Sequence, residues 1–340
     1  MRHLSSHAPI QDRTIHYRRR AFALLAVVQV TLILAITVVA IGLPAIQRDL
    51  GLFPGQLALV SAGYGLAFSG LLLLGGRLAD VVGPRRTFLV GLTVFGAASL
   101  GVGAASGFVS ALVSRLGQGV GAALAAPAAM SLLRVLYPDS AEHAKAAARW
   151  GALAPIGATA GIVVSGVAVA VGSSRGALAL PVAVAAIGVA AGRGMLPDAG
   201  PSASGRLDLP GAAAAALGIG ALSYGPVTAG DHGWSSPVAL TALTVGVVAL
   251  LGLAVIEANS GAPLVPPVFL RSPGRVVALV AVMIAAAGHA ATGFSSPCTS
   301  SRFAGCRLWP PLRHSCPCCW SSRWPARWLR GSFGPSVRCR

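Results

Sequence analysis

The turn GGRLADVVGPRRTF, between two long apolar segments, concentrates charged side chains that could form hydrogen bonds between helices. Asp80 precedes Gly83, and Arg85 and Arg86 follow. A carboxylate at a helix end beside guanidinium groups makes charge-assisted hydrogen bonds, which are about twice as strong as neutral ones. Gly76 and Gly83 permit a tight turn. The pattern predicts a latch between helices; the alternative is a basic loop with an incidental acid.

Arg115 and Gln118 lie inside the fourth long apolar segment, in ALVSRLGQGVGAA. A charged side chain inside a membrane helix is costly and by default functional. Because arginine does not release its proton, Arg115 would influence the protonation of a nearby titrating group or bind an anionic group. Gly117, Gly119 and Gly121 could suggest a dinucleotide loop, but such a loop lies between a strand and a helix. Within a helix these glycines favour close packing.

His289, in the ninth apolar segment, is the candidate proton carrier because imidazole titrates near neutral pH. No apolar segment carries a carboxylate near its middle, since Asp80 and Glu257 lie at segment ends. A hydrogen bond between helices is the simpler role for His289.

The six cysteines all follow Phe294, and three of them lie in HSCPCCW. His314, Cys316, Cys318 and Cys319 lack the paired spacing of zinc sites, so we predict no metal site. A disulfide framework stays open if the tail is outside the cell. The third interpretation is a frameshift near Phe294, because plausible codons read in another frame give an apolar segment. We expect residues 295–340 to be disordered.

The composition is that of a membrane protein. Of 340 residues, 55% are hydrophobic and 10% are charged, and the mean hydropathy is +0.74. The net charge of +17 could suggest nucleic acid as a partner, but the basic residues lie between apolar runs and at the chain ends, so they form no basic face. No segment offers a nucleophile with a partnered base, which argues against an enzyme.

Apolar segments long enough to span a bilayer recur along the chain, where about 20 residues are needed for each helix. We predict nine spans: Ala21–Leu43, Leu57–Leu78, Thr87–Ala105, Phe108–Leu133, Ala146–Val171, Ala177–Leu196, Pro210–Thr228, Pro237–Ile256 and Val276–Phe294. Arginine and lysine concentrate in alternate connections, which predicts that these connections and the N-terminus are cytoplasmic.

Three stretches resemble motifs of the major facilitator superfamily. The turn is similar to the loop between helices 2 and 3 of that family through Gly76, Leu78, Asp80, Gly83, Arg85 and Arg86. The fourth segment is similar to the helix-4 motif through Arg115, Gln118, Gly119 and Gly121. WGALAPIGATAGIVVSG resembles the helix-5 antiporter motif through Gly157, Gly161 and Gly166.

LAITVVAIGLPAIQRDLG and RLDLPGAAAAALGIGALSYG look like helix 1 and the start of helix 7 of the fourteen-helix drug:proton antiporter branch. Resemblance covers nearly all of residues 20–294. That branch usually carries an Asp and an Asn where this chain has Ala35 and Ala40, so the usual proton-coupling carboxylate is replaced.

The resemblance implies an all-α polytopic membrane protein with the major facilitator fold. The expected organisation is a basic cytoplasmic N-terminus (1–20), a first six-helix transmembrane bundle (21–196), a cytoplasmic linker (197–209), two additional transmembrane helices (210–258), a loop with the first helix of a second bundle (259–294) and an aberrant tail (295–340).

The implied function is multidrug efflux across the plasma membrane by proton-coupled antiport and alternating access. Asp80, Arg85 and Arg86 would gate the cytoplasmic side, and Arg115, Gln118 and His289 would serve the cavity or coupling. The expected partners are a small-molecule substrate, protons and the lipid bilayer, with no nucleic acid, cofactor or metal. The alternative is a truncated remnant or structural membrane protein that transports nothing.

Overall fold

A computed structural model describes residues 8–170, 179–201 and 209–259, with short helical pieces at 273–274, 277–281 and 284. Apart from those pieces, the described ranges contain nine helices and no strand. The helices are α1 (Ala8–Leu50), α2 (Pro54–Val82), α3 (Pro84–Gly103), α4 (Phe108–Leu136), α5 (Ser140–Gly151), α6 (Leu153–Ala170), α7 (Ala179–Met195), α8 (Leu209–His232) and α9 (Pro237–Asn259).

The chain is helical because an apolar segment in lipid must satisfy its backbone hydrogen bonds internally. Within the described ranges, seven helices are long and apolar enough to cross a membrane, and Leu180–Met195 is a shorter apolar helix. The protein is therefore a multi-pass membrane protein with an all-α fold.

The first eight predicted spans coincide with helices, but the fifth is interrupted. The predicted segment Ala146–Val171 contains the end of α5 at Gly151 and the beginning of α6 at Leu153. Pro155 has no N–H to donate to the carbonyl of Gly151, so the helical hydrogen bonding fails at this point. The ninth predicted span, Val276–Phe294, and the tail 295–340 lie outside the described residues except for the short pieces named above.

Helix α4 packs against α2 and α3 at glycine contacts. A Cβ on Gly121 would lie 2.6 Å from the carbonyl oxygen of Gly91 in α3, and one on Gly119 would lie 2.8 Å from the Cβ of Ala67 in α2. Without a hydrophobic force between helices in lipid, such close backbone approach supplies the packing energy. Phe88 and Phe95 of α3 are fully buried beside this contact.

The remaining helices surround this centre. Helix α1 packs on α6 and α7, and α7 also contacts α3. Helices α8 and α9 pair with each other, and α8 packs on α2, where a Cβ on Gly70 would lie 3.0 Å from the carbonyl oxygen of Ala216. All nine helices belong to one compact unit, Met1–Val265, and a second unit comprises Pro266–Arg340.

We call the end of the first unit that carries Arg18, Arg77, Arg85 and Arg134 the basic end; it is the end predicted to be cytoplasmic. Helix α5 lies there, with its first turn capped by Asp139, whose Oδ1 accepts from the N–H groups of Ala141 and Glu142 at 2.9 and 3.0 Å. Arg18 pairs with Glu142 at 3.1 Å and thereby joins α1 to α5.

Candidate functional site

Arg115 lies in the interior of the bundle, with 1% of its surface exposed. Its Nη1 donates to the side-chain oxygen of Gln118 at 2.8 Å and to the carbonyl of Ala35 at 3.4 Å. Its Nε donates to the carbonyl of Val60 at 3.4 Å. The guanidinium therefore connects α4 to α1 and α2.

The charge of Arg115 is held by neutral groups. Its three acceptors are two backbone carbonyls and one amide, and the carbonyl contacts are at the long end of the hydrogen-bond range. The guanidinium carbon also lies 5.1 Å from the centre of the Tyr64 ring, within the range of a cation–π interaction. These contacts offset part of the cost of a buried cation and leave its positive charge in the bundle.

Gln118 extends the contacts to α3, and Tyr64 adds a second contact to α1. Nε2 of Gln118 donates to Oγ of Ser99 in α3 at 2.8 Å, and Ser99 donates to the carbonyl of Phe95 at 2.7 Å. The hydroxyl of Tyr64 donates to the carbonyl of Leu32 in α1 at 3.1 Å. We call Tyr64, Ser99, Arg115 and Gln118 the interior polar cluster; it links α1, α2, α3 and α4.

Sequence reasoning missed Tyr64 and Ser99. Both are polar side chains inside apolar segments, and both are buried. A polar residue inside an apolar segment is the signal that could have identified them, because a buried polar group requires a hydrogen-bond partner. Their pairing with Arg115 and Gln118 depends on tertiary contact between helices far apart in sequence.

The turn between α2 and α3 consists of Gly83 alone. Gly83 has φ +105°, and a Cβ there would lie 3.2 Å from the carbonyl oxygen of Ala199. An L side chain rarely adopts that backbone conformation, so the turn requires glycine. Gly76 lies within α2 in ordinary contact distance of α4: a Cβ there would lie 3.8 Å from the Cβ of Pro127.

The arginines after Gly83 have different surroundings. Arg85 forms an ion pair with Asp198 at 3.3 Å and donates a hydrogen bond to the carbonyl of Arg193, so it ties the start of α3 to the end of α7. Arg86 is exposed. Asp80 is half-buried and, with Gly76, lines a pocket at the basic end. Asp198 was not among the residues singled out from the sequence.

The three glycines of the helix-5 motif lie on α6, and two of them face α1. A Cβ on Gly157 would lie 2.8 Å from the carbonyl oxygen of Val30, and one on Gly161 would lie 3.1 Å from that of Leu34. A Cβ on Gly166 would meet nothing within 4 Å. Gly157 and Gly161 therefore set the distance between α1 and α6.

His289 and the cysteines lie outside the described residues. Among the residues that the structure describes, no group of three His, Cys, Asp or Glu side chains is placed to hold a metal ion.

Membrane-length helices packed through glycines indicate a polytopic membrane protein, and a buried guanidinium inside such a bundle marks a candidate functional site. Residues 25–306 match the family model of the Major Facilitator Superfamily, and the chain belongs to that family. The match continues past Phe294 into the segment predicted to be out of frame.

Several antibiotic export and resistance proteins are similar in sequence. The chain is 37% identical over 265 residues to the cephamycin export protein CmcT of Amycolatopsis lactamdurans, covering 76% of this chain and 54% of that protein. It is 38% identical over 251 residues to the puromycin resistance protein pur8 of Streptomyces alboniger, covering 73% and 50%. The chain therefore spans about half the length of these relatives.

The fold is also found in a solved transporter structure. The peptide transporter POT in complex with sulfate superimposes with a TM-score of 0.53 over 71% of this chain and 52% of that chain, at 18% sequence identity. At this identity the likeness concerns the fold alone.

Proposed function

We propose that this chain is an exporter of drugs or other small organic molecules that works by alternating access, with the spans of residues 21–196 as its first helix bundle and a second bundle that begins within residues 259–294. The observation that carries the proposal is the sequence shared with proteins named for cephamycin export and puromycin resistance, over about three quarters of this chain. In transporters of this kind, substrate sites lie near the bilayer midplane between two repeats, and one bundle rocks against the other.

The interior polar cluster supports that mechanism because it joins four helices of the first bundle to one another. Arg115 and Gln118 join four helices through buried hydrogen bonds, so α1 to α4 would move together. With its donors directed to α1, α2 and Gln118, Arg115 is a positioning residue and a source of positive potential for the cavity. The positive charge would act electrostatically on a substrate or coupling ion without direct contact.

The turn at Gly83 supports a gate at the basic end. Arg85 holds α3 to the end of α7, whereas Arg86 is exposed and Asp80 lines the adjacent pocket. We propose that Asp80 and Arg86 engage the second bundle when the cytoplasmic side closes. Arg85 would keep its partner within the first bundle.

We infer proton coupling and membership of the fourteen-helix branch from the motifs and from the helix pair α8 and α9, of which α8 packs on α2. Ala35 stands where the branch usually has an Asp. This difference bears directly on proton coupling, because the backbone carbonyl of Ala35 accepts a hydrogen bond from Arg115, a buried cation. Coupling would then depend on His289 or on a group outside the described residues.

We infer a plasma-membrane location with a cytoplasmic N-terminus from the positive-inside rule. The basic end carries five arginines: Arg18, Arg77, Arg85, Arg134 and Arg193. This concentration of positive charge supports placing that end in the cytoplasm.

Reconstitution of the purified chain tests the proposal. Vesicles containing the protein are loaded with ethidium, a fluorescent cation, and a proton gradient is imposed. Dye release that exceeds release from protein-free vesicles and depends on the gradient is expected. Correct insertion without release would reject transport by this chain and favour the alternative of a structural membrane protein.

A further inference from the structure

A groove of about 440 Å³ lies at the basic end between α1 and α7. His16, Tyr17 and Arg20 form its wall on α1, and Gly194 and Met195 form its wall on α7. His16 and Arg20 are one helical turn apart and so lie on the same face of α1. All of these residues except Met195 are exposed, so the groove opens to the surface of the protein. We call it the α1–α7 groove.

The α1–α7 groove lies where the apolar part of each helix ends. The apolar span of α1 begins at His16 and runs to Val39, and the apolar helix Leu180–Met195 ends beside the groove. Tyrosine is enriched at this level of a membrane, and arginine extends its head to the interface while its stem stays in apolar surroundings. The groove is therefore placed to contact lipid headgroups.

The groove carries positive charge that no acidic side chain balances. Its lining contains Arg20 and no carboxylate among the described residues, and no described carboxylate pairs with Arg20. The exposed side chains of Arg19 and Arg193 follow next to the lining residues in sequence. Asp198, the first acid after α7, pairs with Arg85. This excess of positive charge favours an anion, and the planar guanidinium matches a phosphate.

The groove also has free space and an apolar continuation toward the membrane interior. A Cβ on Gly194 would meet nothing within 4 Å, so a headgroup can approach the backbone of α7. Tyr17 is 40% exposed, and its hydroxyl can donate a hydrogen bond to a phosphate oxygen. Val27 and Ile187 are exposed and lie two turns deeper than Arg20 and Gly194 on the same helix faces. They offer apolar surface for acyl chains.

We propose that the α1–α7 groove binds the headgroup of an anionic phospholipid from the leaflet at the basic end. The phosphate accepts hydrogen bonds from Arg20 and Tyr17, and the acyl chains lie along α1 and α7. A zwitterionic phospholipid also carries an ammonium group, which meets no carboxylate in the groove, so it binds more weakly. Binding requires only that the chain lies in a membrane, so it does not rest on transport.

Native mass spectrometry of the full chain in detergent tests the site with phosphatidylglycerol and phosphatidylcholine of the same acyl chains. We expect saturable binding of phosphatidylglycerol, roughly fivefold tighter than binding of phosphatidylcholine, because the net negative charge interacts with Arg20. Equal affinities would overturn the proposal. Glycerol 1-phosphate, which has the phosphate without acyl chains, is expected not to displace the lipid at equal concentration. Displacement would assign the groove to a soluble phosphate and reject the lipid.

Variants locate the binding. Arg20→Gln is expected to weaken phosphatidylglycerol binding roughly fivefold and to leave phosphatidylcholine binding unchanged. Arg19→Gln is the matched control, because Arg19 is the adjacent exposed arginine and does not line the groove. Gly194→Leu fills the groove without a change of charge and is expected to weaken both lipids.

Unchanged phosphatidylglycerol binding in Arg20→Gln or in Gly194→Leu would place the lipid elsewhere and reject the site. An equal loss in Arg19→Gln would show a diffuse attraction to positive charge and would also reject it. If Arg20→Gln does not fold, Gly194→Leu decides, since its side chain enters open space. The measurement uses no gradient and no transport step, so its outcome is independent of the efflux test.

Discussion

Arg115 donates a hydrogen bond of 2.8 Å to the side chain of Gln118, and each of the two residues is 1% exposed. They lie one turn apart on α4, and Gln118 passes the connection to Ser99 on α3. Gln118 thus satisfies a buried cation on one side and a buried hydroxyl on the other. Its loss would affect both.

Substitution Gln118→Leu is expected to lower the free energy of unfolding by about 1–3 kcal/mol, because it leaves a buried charged donor without its shortest hydrogen bond. Ser99→Ala removes only the neutral end of the connection and is expected to cost about 0.6 kcal/mol, as is typical inside membranes. Reversible unfolding in mixed micelles measures both. Equal costs would contradict the role assigned to the cation.

Substitution Gly83→Ala is expected to destabilise the protein by about 1–3 kcal/mol, since φ +105° is strained for any L side chain. Gly76→Ala is the matched control on the preceding helix, where a Cβ meets its nearest neighbour at 3.8 Å. Thermal unfolding in detergent compares them. A Gly76 variant as unstable as the Gly83 variant would show that packing, and not the turn, limits this region.

A double-mutant cycle tests the ion pair between Arg85 and Asp198. Since Asp198 is 64% exposed, the coupling is expected to be about 0.2–1 kcal/mol and to weaken with added salt. The cycle uses Arg85→Gln and Asp198→Asn. The control is a second cycle that combines Arg86→Gln with Asp198→Asn. Its coupling energy should be near zero. Comparable coupling for both arginines would reject the specific pair.

Hydropathy and glycine content predicted most of the fold but only part of the site. The spans around Arg115 and the turn at Gly83 follow from local patterns, because bilayer thickness fixes helix length and backbone sterics fix the turn. The partners Tyr64 and Asp198 did not follow, since they belong to elements that meet only after packing. The break at Ala152 depended on Pro155, whose effect inside membrane helices varies with its neighbours.

Substitution Asp80→Asn is expected to abolish efflux without preventing membrane insertion, because it removes the negative charge from the proposed gate while retaining the shape of the side chain. The measurement is dye release from vesicles at matched protein content. Glu142→Gln is the control at the same end, since its exposed ion pair with Arg18 contributes little. Transport by the Asp80 variant equal to the unmodified chain would reject the gate.

Movement at the basic end tests the central claim of an alternating-access carrier most directly. Ser131→Cys places a thiol in the pocket wall of a chain whose six native cysteines are replaced by serine, and Ser140→Cys gives an exposed control at the start of α5. The rate of labelling by a membrane-impermeant maleimide is measured with and without a proton gradient and ethidium. An alternating carrier predicts a rate that changes at position 131 and stays constant at position 140. An unchanged rate at position 131 under all conditions would contradict the carrier.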